Sequence, residues 1–269
     1  MVAVGDSAVT PPLLAAYGQF APTNTGLSLL PQSVEAAFQQ LCVMQTADLV
    51  MATAIANTEA CAADSLIAVP AATDGVALVL NPTNSFAANL TTAELAALLS
   101  ATMWSEVNPA WPPEPVTRLV TNPYLYQQLV SQLTEDDPNL RLSLTAAAVQ
   151  SLEDVNQLVT TLTADPYSVG VVSFAEIRPF IAQGLQLATI DQQIISNETI
   201  ADGSYPFAHS LFFYTTVQAI QNKPFVGTFL TTYLTDITQT SVTLGYAPPA
   251  AGLVQRAQAR LDELNNDSE

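Results

Sequence analysis

Few residues in this chain have the types and spacing that catalysis needs. His209 is its one histidine. No nucleophile and no orienting acid is signalled beside it, as a hydrolytic triad would require. Metal sites need clustered ligands, and a lone histidine with two cysteines does not supply them. Aspartate pairs such as Asp136–Asp137 read as solvated turns. No Walker loop for phosphates and no G-x-G-x-x-G fingerprint for dinucleotides occurs. Asn89-Leu-Thr91 and Asn197-Glu-Thr199 fit a glycosylation pattern that is too common to carry weight. With no acid–base constellation, neither an enzyme nor a metal nor a cofactor is expected. Cys42 and Cys61 stand 19 positions apart. In a cytosolic protein they would read as two buried thiols.

The composition narrows the classes further. The chain has 269 residues, of which 49% are hydrophobic, enough for a large core and far from a disordered composition. That length suits one large domain or two small lobes. The net charge of −18 arises from 24 acidic residues against Lys223 and five arginines. Such a surface repels nucleic acid and anionic lipid, and nucleic-acid partners are not expected. It would not steer an anion inward over long range either, so an anion site would rely on local dipoles. No run of about 18 apolar residues marks a membrane span. The first residues, MVAVGDSAV, lack the basic and apolar regions of a signal peptide. If the protein is exported, this is the mature part with an added or retained Met1.

The elements that would position a site follow from periodicity. Leu211 to Val217 is aromatic and β-branched and reads as a buried strand. Lys223 and Pro224 then open a helix in which Phe225, Phe229 and Tyr233 recur every four residues, as do Val226, Leu230 and Leu234. Gly245 and Pro248–Pro249 close this unit. Earlier in the chain, short strands are expected at Val2–Gly5, Leu27–Leu30, Asp48–Ala52 and Leu66–Val69. Helices are expected after Gly5, over Gln32–Cys42 and over Asn57–Ala63. A strand over Asp74–Asn81 follows, then a helix capped by Thr91 with Glu94 three residues on. Thr117–Thr121 and Val169–Ser173 read as strands, with a short one over Leu185–Ile190. Tyr124–Leu133 and Leu152–Leu162 read as helices, Glu135–Asn139 as an acidic turn, and Val254–Leu264 as a final amphipathic helix. Strands alternating with helices indicate an α/β fold with mostly parallel sheets.

Several pieces of this sequence resemble the phosphate-binding proteins of phosphate ABC transporters. The closing stretch, Tyr205-Pro206-Phe207 onward through Lys223-Pro224 to Gly245-Tyr246, carries three of that family's segments in order. Asp74-Gly75 to Asn81 resembles its first crossing between lobes, and Ala164-Asp165-Pro166 to Gly170 another of its motifs. The resemblance implies a type II periplasmic-binding-protein fold, with two α/β lobes, mixed sheets and two hinge crossings. Residues 1–73 with 206–269 would form the first lobe and 74–205 the second. Phe38 to Cys42 and Glu59 to Cys61 resemble segments bridged in many exported members. The resemblance thus implies a Cys42–Cys61 disulfide and a place outside the cytoplasm. Closing such a loop would stabilise the fold by about 3 kcal/mol.

The family's anion site carries over position by position. Relatives replace the water of phosphate with backbone N–H groups, small hydroxyls and an arginine. Their first motif falls on Gly5 to Val9. Ser7 survives, the hydroxyl position becomes Ala8 with an N–H that could donate, and Asp6 adds a negative charge that is tolerable if it points away. Their glycine-rich loop falls on Gln32 to Phe38, where Ser33 can cap a helix and Glu35 would repel an anion if it faced the cleft. The third motif falls on Asp48 to Ala54 and keeps the Thr53 hydroxyl. The fourth falls on Arg118 to Tyr124, where Thr121 stands at the arginine position and Arg118 lies earlier on the strand. The candidate ligand set is therefore Ser7, Ala8, Ser33, Thr53 and Thr121. Each charge-assisted bond lost removes roughly 1.5–3 kcal/mol, so losing several would abolish micromolar binding. Phosphate or another small solute in the interlobe cleft, with transporter membrane subunits as partners, is one reading. A degenerate member acting in a cell-surface assembly is the other.

Overall fold

The computed structural model describes residues 1–20, 26–53, 60–134 and 138–266. The chain divides into two compact units. One comprises Met1–Thr73 with His209–Glu269, and the other Asp74–Ala208. Of the expected helix over Asn57–Ala63, residues 57–59 lie outside the described residues, and 60–63 form turns and not a helix. Of the expected turn over Glu135–Asn139, residues 135–137 lie outside, and Pro138 and Asn139 begin a helix. Ala54 also lies outside.

In the first unit, β1 (Val2–Gly5) is followed by a 3-10 turn at Ser7–Val9 and by α1 (Thr10–Phe20). Next come β2 (Ser28–Pro31), α2 (Val34–Phe38) and β3 (Leu49–Ala52). β4 (Leu66–Leu80) leads out of this unit, and β11 (Ala208–Thr216) leads back. The strand order is β2-β1-β3-β11-β4. β1 pairs in parallel with both β2 and β3, and β11 runs antiparallel to β3. The expected second helix spans residues 34–43. After Phe38 it widens into a π-turn over Gln39–Val43 that brings Cys42 to Cys61. The two cysteines are bonded, and their disulfide packs on a core of Val4, Phe38, Leu41, Val50 and Tyr214.

Past β11, α10 (Val217–Asn222) precedes α11 (Pro224–Leu244), and α12 (Ala251–Asn266) follows. Of the two apolar rows on α11, Val226, Phe229, Leu230, Tyr233 and Leu234 are buried, while Phe225 is half-buried. α11 packs against α1, with Tyr17 and Phe229 ring centres 6.4 Å apart. Gly245 ends it in a left-handed conformation, φ 92°, that glycine adopts without strain.

The two strands expected at Leu66–Val69 and Asp74–Asn81 are one strand of 15 residues. Pro70 to Thr73 stays extended, and Thr73 exchanges two backbone hydrogen bonds with Ala247, each 2.9 Å. That outside partner satisfies the backbone where a break was expected.

The second unit takes the rest of β4 into a sheet of order β4-β8-β6-β7. Before β6 come β5 (Asn89–Leu90), α3 (Thr92–Ser100) and α4 (Trp104–Val107). β6 (Thr117–Val120), α5 (Pro123–Leu133), α6 (Pro138–Ala146), β7 (Gln150–Ser151), α7 (Val155–Ala164) and β8 (Ser168–Ser173) follow in turn. β6 is parallel to β7 and β8, while β8 is antiparallel to β4. α8 (Phe174–Ile177), β9 (Gln186–Leu187), β10 (Thr189–Ile190) and α9 (Asn197–Ala201) complete it. Thr91 and Glu94 form the expected reciprocal cap of α3. α6 was missed, because its leucines, Leu140, Leu142 and Leu144, alternate by two, the period of a strand and not of a helix. Phe86, Trp104 and Trp111 make an aromatic cluster with ring centres 5.1–5.9 Å apart.

Candidate functional site

In the first unit three strand ends converge. β2, β1 and β3 are adjacent and parallel, with Gly5 opposite both Pro31 and Met51. Residues just beyond these positions therefore share one edge of the sheet. Ser7 and Ala8 follow β1, Ser33 follows β2, and Thr53 follows β3. In open α/β sheets, ligands bind outside the carboxyl ends of such strands. Gly5 allows this close approach. Its φ is +124°, and a Cβ there would run into the Met51 carbonyl oxygen.

The donors at this edge are partly engaged by the chain itself. Asp6 does not point away. Its side chain is buried, at 1% exposure, and its Oδ1 accepts the Ala8 N–H at 2.9 Å. The Asp6 N–H in turn donates to the Met51 carbonyl at 2.9 Å. The Ser33 hydroxyl caps α2 by accepting the Ala36 N–H at 3.3 Å. Glu35 is exposed in the first turn of that helix. Ser7 is exposed, and Thr53 is half-buried in a bend.

The second unit holds Thr121 at the end of β6. Its hydroxyl lies 3.4 Å from the Glu176 carboxylate and donates to it. Asn122 caps α5, accepting the Tyr124 N–H at 2.9 Å, with Pro123 in the first turn. Beside this edge, the buried Asp74 accepts hydrogen bonds from the Ser173 hydroxyl at 2.6 Å and the Ala175 N–H at 3.2 Å. Ser173 also accepts the Glu176 N–H. The start of α8 is thus capped by the protein's own oxygens.

The bases are held elsewhere. Arg118 is 5% exposed and donates from Nε and Nη2 to the Leu98 carbonyl at 3.0 and 2.9 Å, and from Nη2 to the Ala101 carbonyl. It closes the carboxyl end of α3, where the helix dipole favours a cation. Burial lowers its pKa from the ordinary value, and the nearby Tyr126 and Glu106 oppose that shift. Lys223 pairs with the buried Asp48 at 2.9 Å, while Asp48 also accepts the Val2 N–H at 2.8 Å. Both contacts lie at the amino ends of β1 and β3. The length of β3 separates them from the candidate edge by about 13–17 Å, more than a Debye length at ordinary salt. His209 is buried on β11.

The site's self-capping was only partly signalled in the sequence. An Asp just before a helical turn is a favoured cap, and so is Asn before Pro. Nothing local marked Glu176 as the partner of Thr121.

Residues 1–236 match the PBP superfamily domain. The chain belongs to this family. Its members capture solutes and are not enzymes. Among curated relatives, Protein SphX of Synechocystis is 28% identical over 201 residues, covering 68% of this chain and 56% of that protein. The chain spans a little over half the length of the curated relatives it matches. Among solved structures, a possible phosphate-binding protein from Planctomyces limnophilus superposes with a TM-score of 0.73 at 23% identity, covering 98% of both chains. An ABC-type phosphate transport receptor from Vibrio cholerae gives 0.73 at 17% identity, covering 93% of this chain and all of the other. These likenesses show a type II periplasmic-binding-protein fold. Among the described residues, no helix is long and apolar enough to cross a membrane.

Proposed function

We propose that this chain captures a small oxyanion of the phosphate class outside the cytoplasm and delivers it to the membrane subunits of an ABC transporter. The observation that carries this reading is the convergence of Ser7, Ala8, Ser33 and Thr53 at the carboxyl edge of three parallel strands. Of two solved proteins of the same fold, one is named a possible phosphate-binding protein and the other an ABC-type phosphate transport receptor, and they match nearly the whole of this chain. The proposed ligand set in the first unit is Ser7, Ala8, Ser33 and Thr53. The donors are backbone N–H groups and hydroxyls, which suit an anion where Arg118 and Lys223 are engaged elsewhere. A Cys42–Cys61 bond suits an oxidising compartment.

Calorimetric titration of the purified chain with phosphate tests the reading, with sulfate and molybdate as controls. Saturable phosphate binding with a matching rise in melting temperature is the expected result, since ligand binds only the folded state. No heat and no thermal shift with any of the three oxyanions would overturn it.

A further inference from the structure

We infer that Asp6 is an affinity-limiting residue that weakens oxyanion binding by holding a ligand donor with its own carboxylate; the inference rests on the proposed oxyanion site. The chain leaves β1 at Gly5, and Asp6 is the next residue. Three features fix its side chain. It is 1% exposed, its backbone N–H is tied to Met51 on β3, and its Oδ1 accepts the Ala8 N–H at 2.9 Å. Ala8 has no side-chain donor, so its N–H is the one group through which that position can hold a ligand oxygen. A carboxylate already sits on it. A carboxylate oxygen and a phosphate oxygen are acceptors of the same kind, with similar charge and reach.

An incoming oxyanion therefore has two tasks at this edge. It must displace the carboxylate from Ala8, and it must lie beside a displaced negative charge. Lys223 does not offset this, because it is held by Asp48 at the other end of β3. The competition for the Ala8 N–H acts on any oxyanion. Asp6 thus sets the affinity of the whole class, and replacing it strengthens binding.

The test is calorimetric titration of wild type, Asp6→Ala and Asp6→Asn with phosphate and with sulfate at constant pH and moderate salt. Asp6→Ala frees the Ala8 N–H and removes the charge. It should bind phosphate at least tenfold more tightly than wild type, with sulfate affinity rising as well. Asp6→Asn keeps a neutral cap on Ala8 and should fall between the two, at least threefold tighter than wild type. Circular dichroism and melting temperature confirm that each variant is folded. If Asp6→Ala does not fold, the threefold gain in Asp6→Asn becomes the criterion. Oxyanion binding in wild type with no gain in either folded variant would overturn the role of Asp6 and leave the proposed function standing. Absence of binding in wild type and both variants would overturn both.

Discussion

Replacing Arg118 by methionine should unfold the second unit more easily without touching ligand capture. Arg118 donates to two carbonyls at the end of α3, those of Leu98 and Ala101. The helix cannot satisfy Leu98 by itself. The Thr102 N–H that would continue the ladder is turned to the Glu106 carboxylate at 2.7 Å. A buried carbonyl left without a donor costs about 1–3 kcal/mol, so the pair amounts to about 2–6 kcal/mol. Methionine keeps most of the apolar stem, and the loss is therefore mainly of hydrogen bonds and charge at the helix end. At about 2–4 °C per kcal/mol, the melting temperature should fall by roughly 5–20 °C. Scanning calorimetry measures this, and phosphate titration well below the melt measures binding. Affinity within twofold of wild type is expected. A variant that melts with wild type but no longer binds would refute the reasoning, because Arg118 would then be touching ligand rather than closing α3.

Reduction of Cys42–Cys61, or the double Cys42→Ser, Cys61→Ser variant, should lower unfolding free energy by about 3 kcal/mol in urea titrations. An unchanged midpoint would show that the loop is held without the bond. Stability should also fall above pH 10. Tyr205, Tyr214 and Tyr233 are buried, and burial pushes their pKa values above the ordinary 10.0. Below that pH both states hold the phenol protons. Above it the unfolded chain releases them while the folded chain does not, at about 1.4 kcal/mol per pH unit for each tyrosine. Tyr233→Phe should remove about a third of the slope, along with the hydrogen bond to the Ala71 carbonyl. A flat stability curve from pH 9 to 11 would count against the account.

Much of the fold is legible residue by residue. The rows on α11 face the core because four-residue spacing puts them on one side of any helix. The Thr91–Glu94 cap and the glycine stop at Gly245 are local chemistry, decided within a few residues. The two cysteines were ambiguous by spacing alone, and resemblance supplied their pairing. Elements that depend on distant partners were harder to read. β4 runs unbroken through Pro70 because Ala247, far along the chain, takes up the backbone of Thr73. α6 is helical despite a weak pattern, since it packs with α3 and α5.

The sequence by itself determined the α/β alternation, the family motifs and the scarcity of bases that denies any anion site long-range attraction. Only the tertiary structure decided where the charged side chains point. Asp6 could have faced solvent, and it turns inward onto Ala8 because its backbone is pinned to Met51 of a neighbouring strand. Arg118 could have faced a ligand, and it is drawn instead to the open end of α3. The reason is physical. Propensity and periodicity act over one or two turns of chain, whereas the direction of a buried charge is set by whichever unsatisfied partner the fold brings within hydrogen-bonding reach.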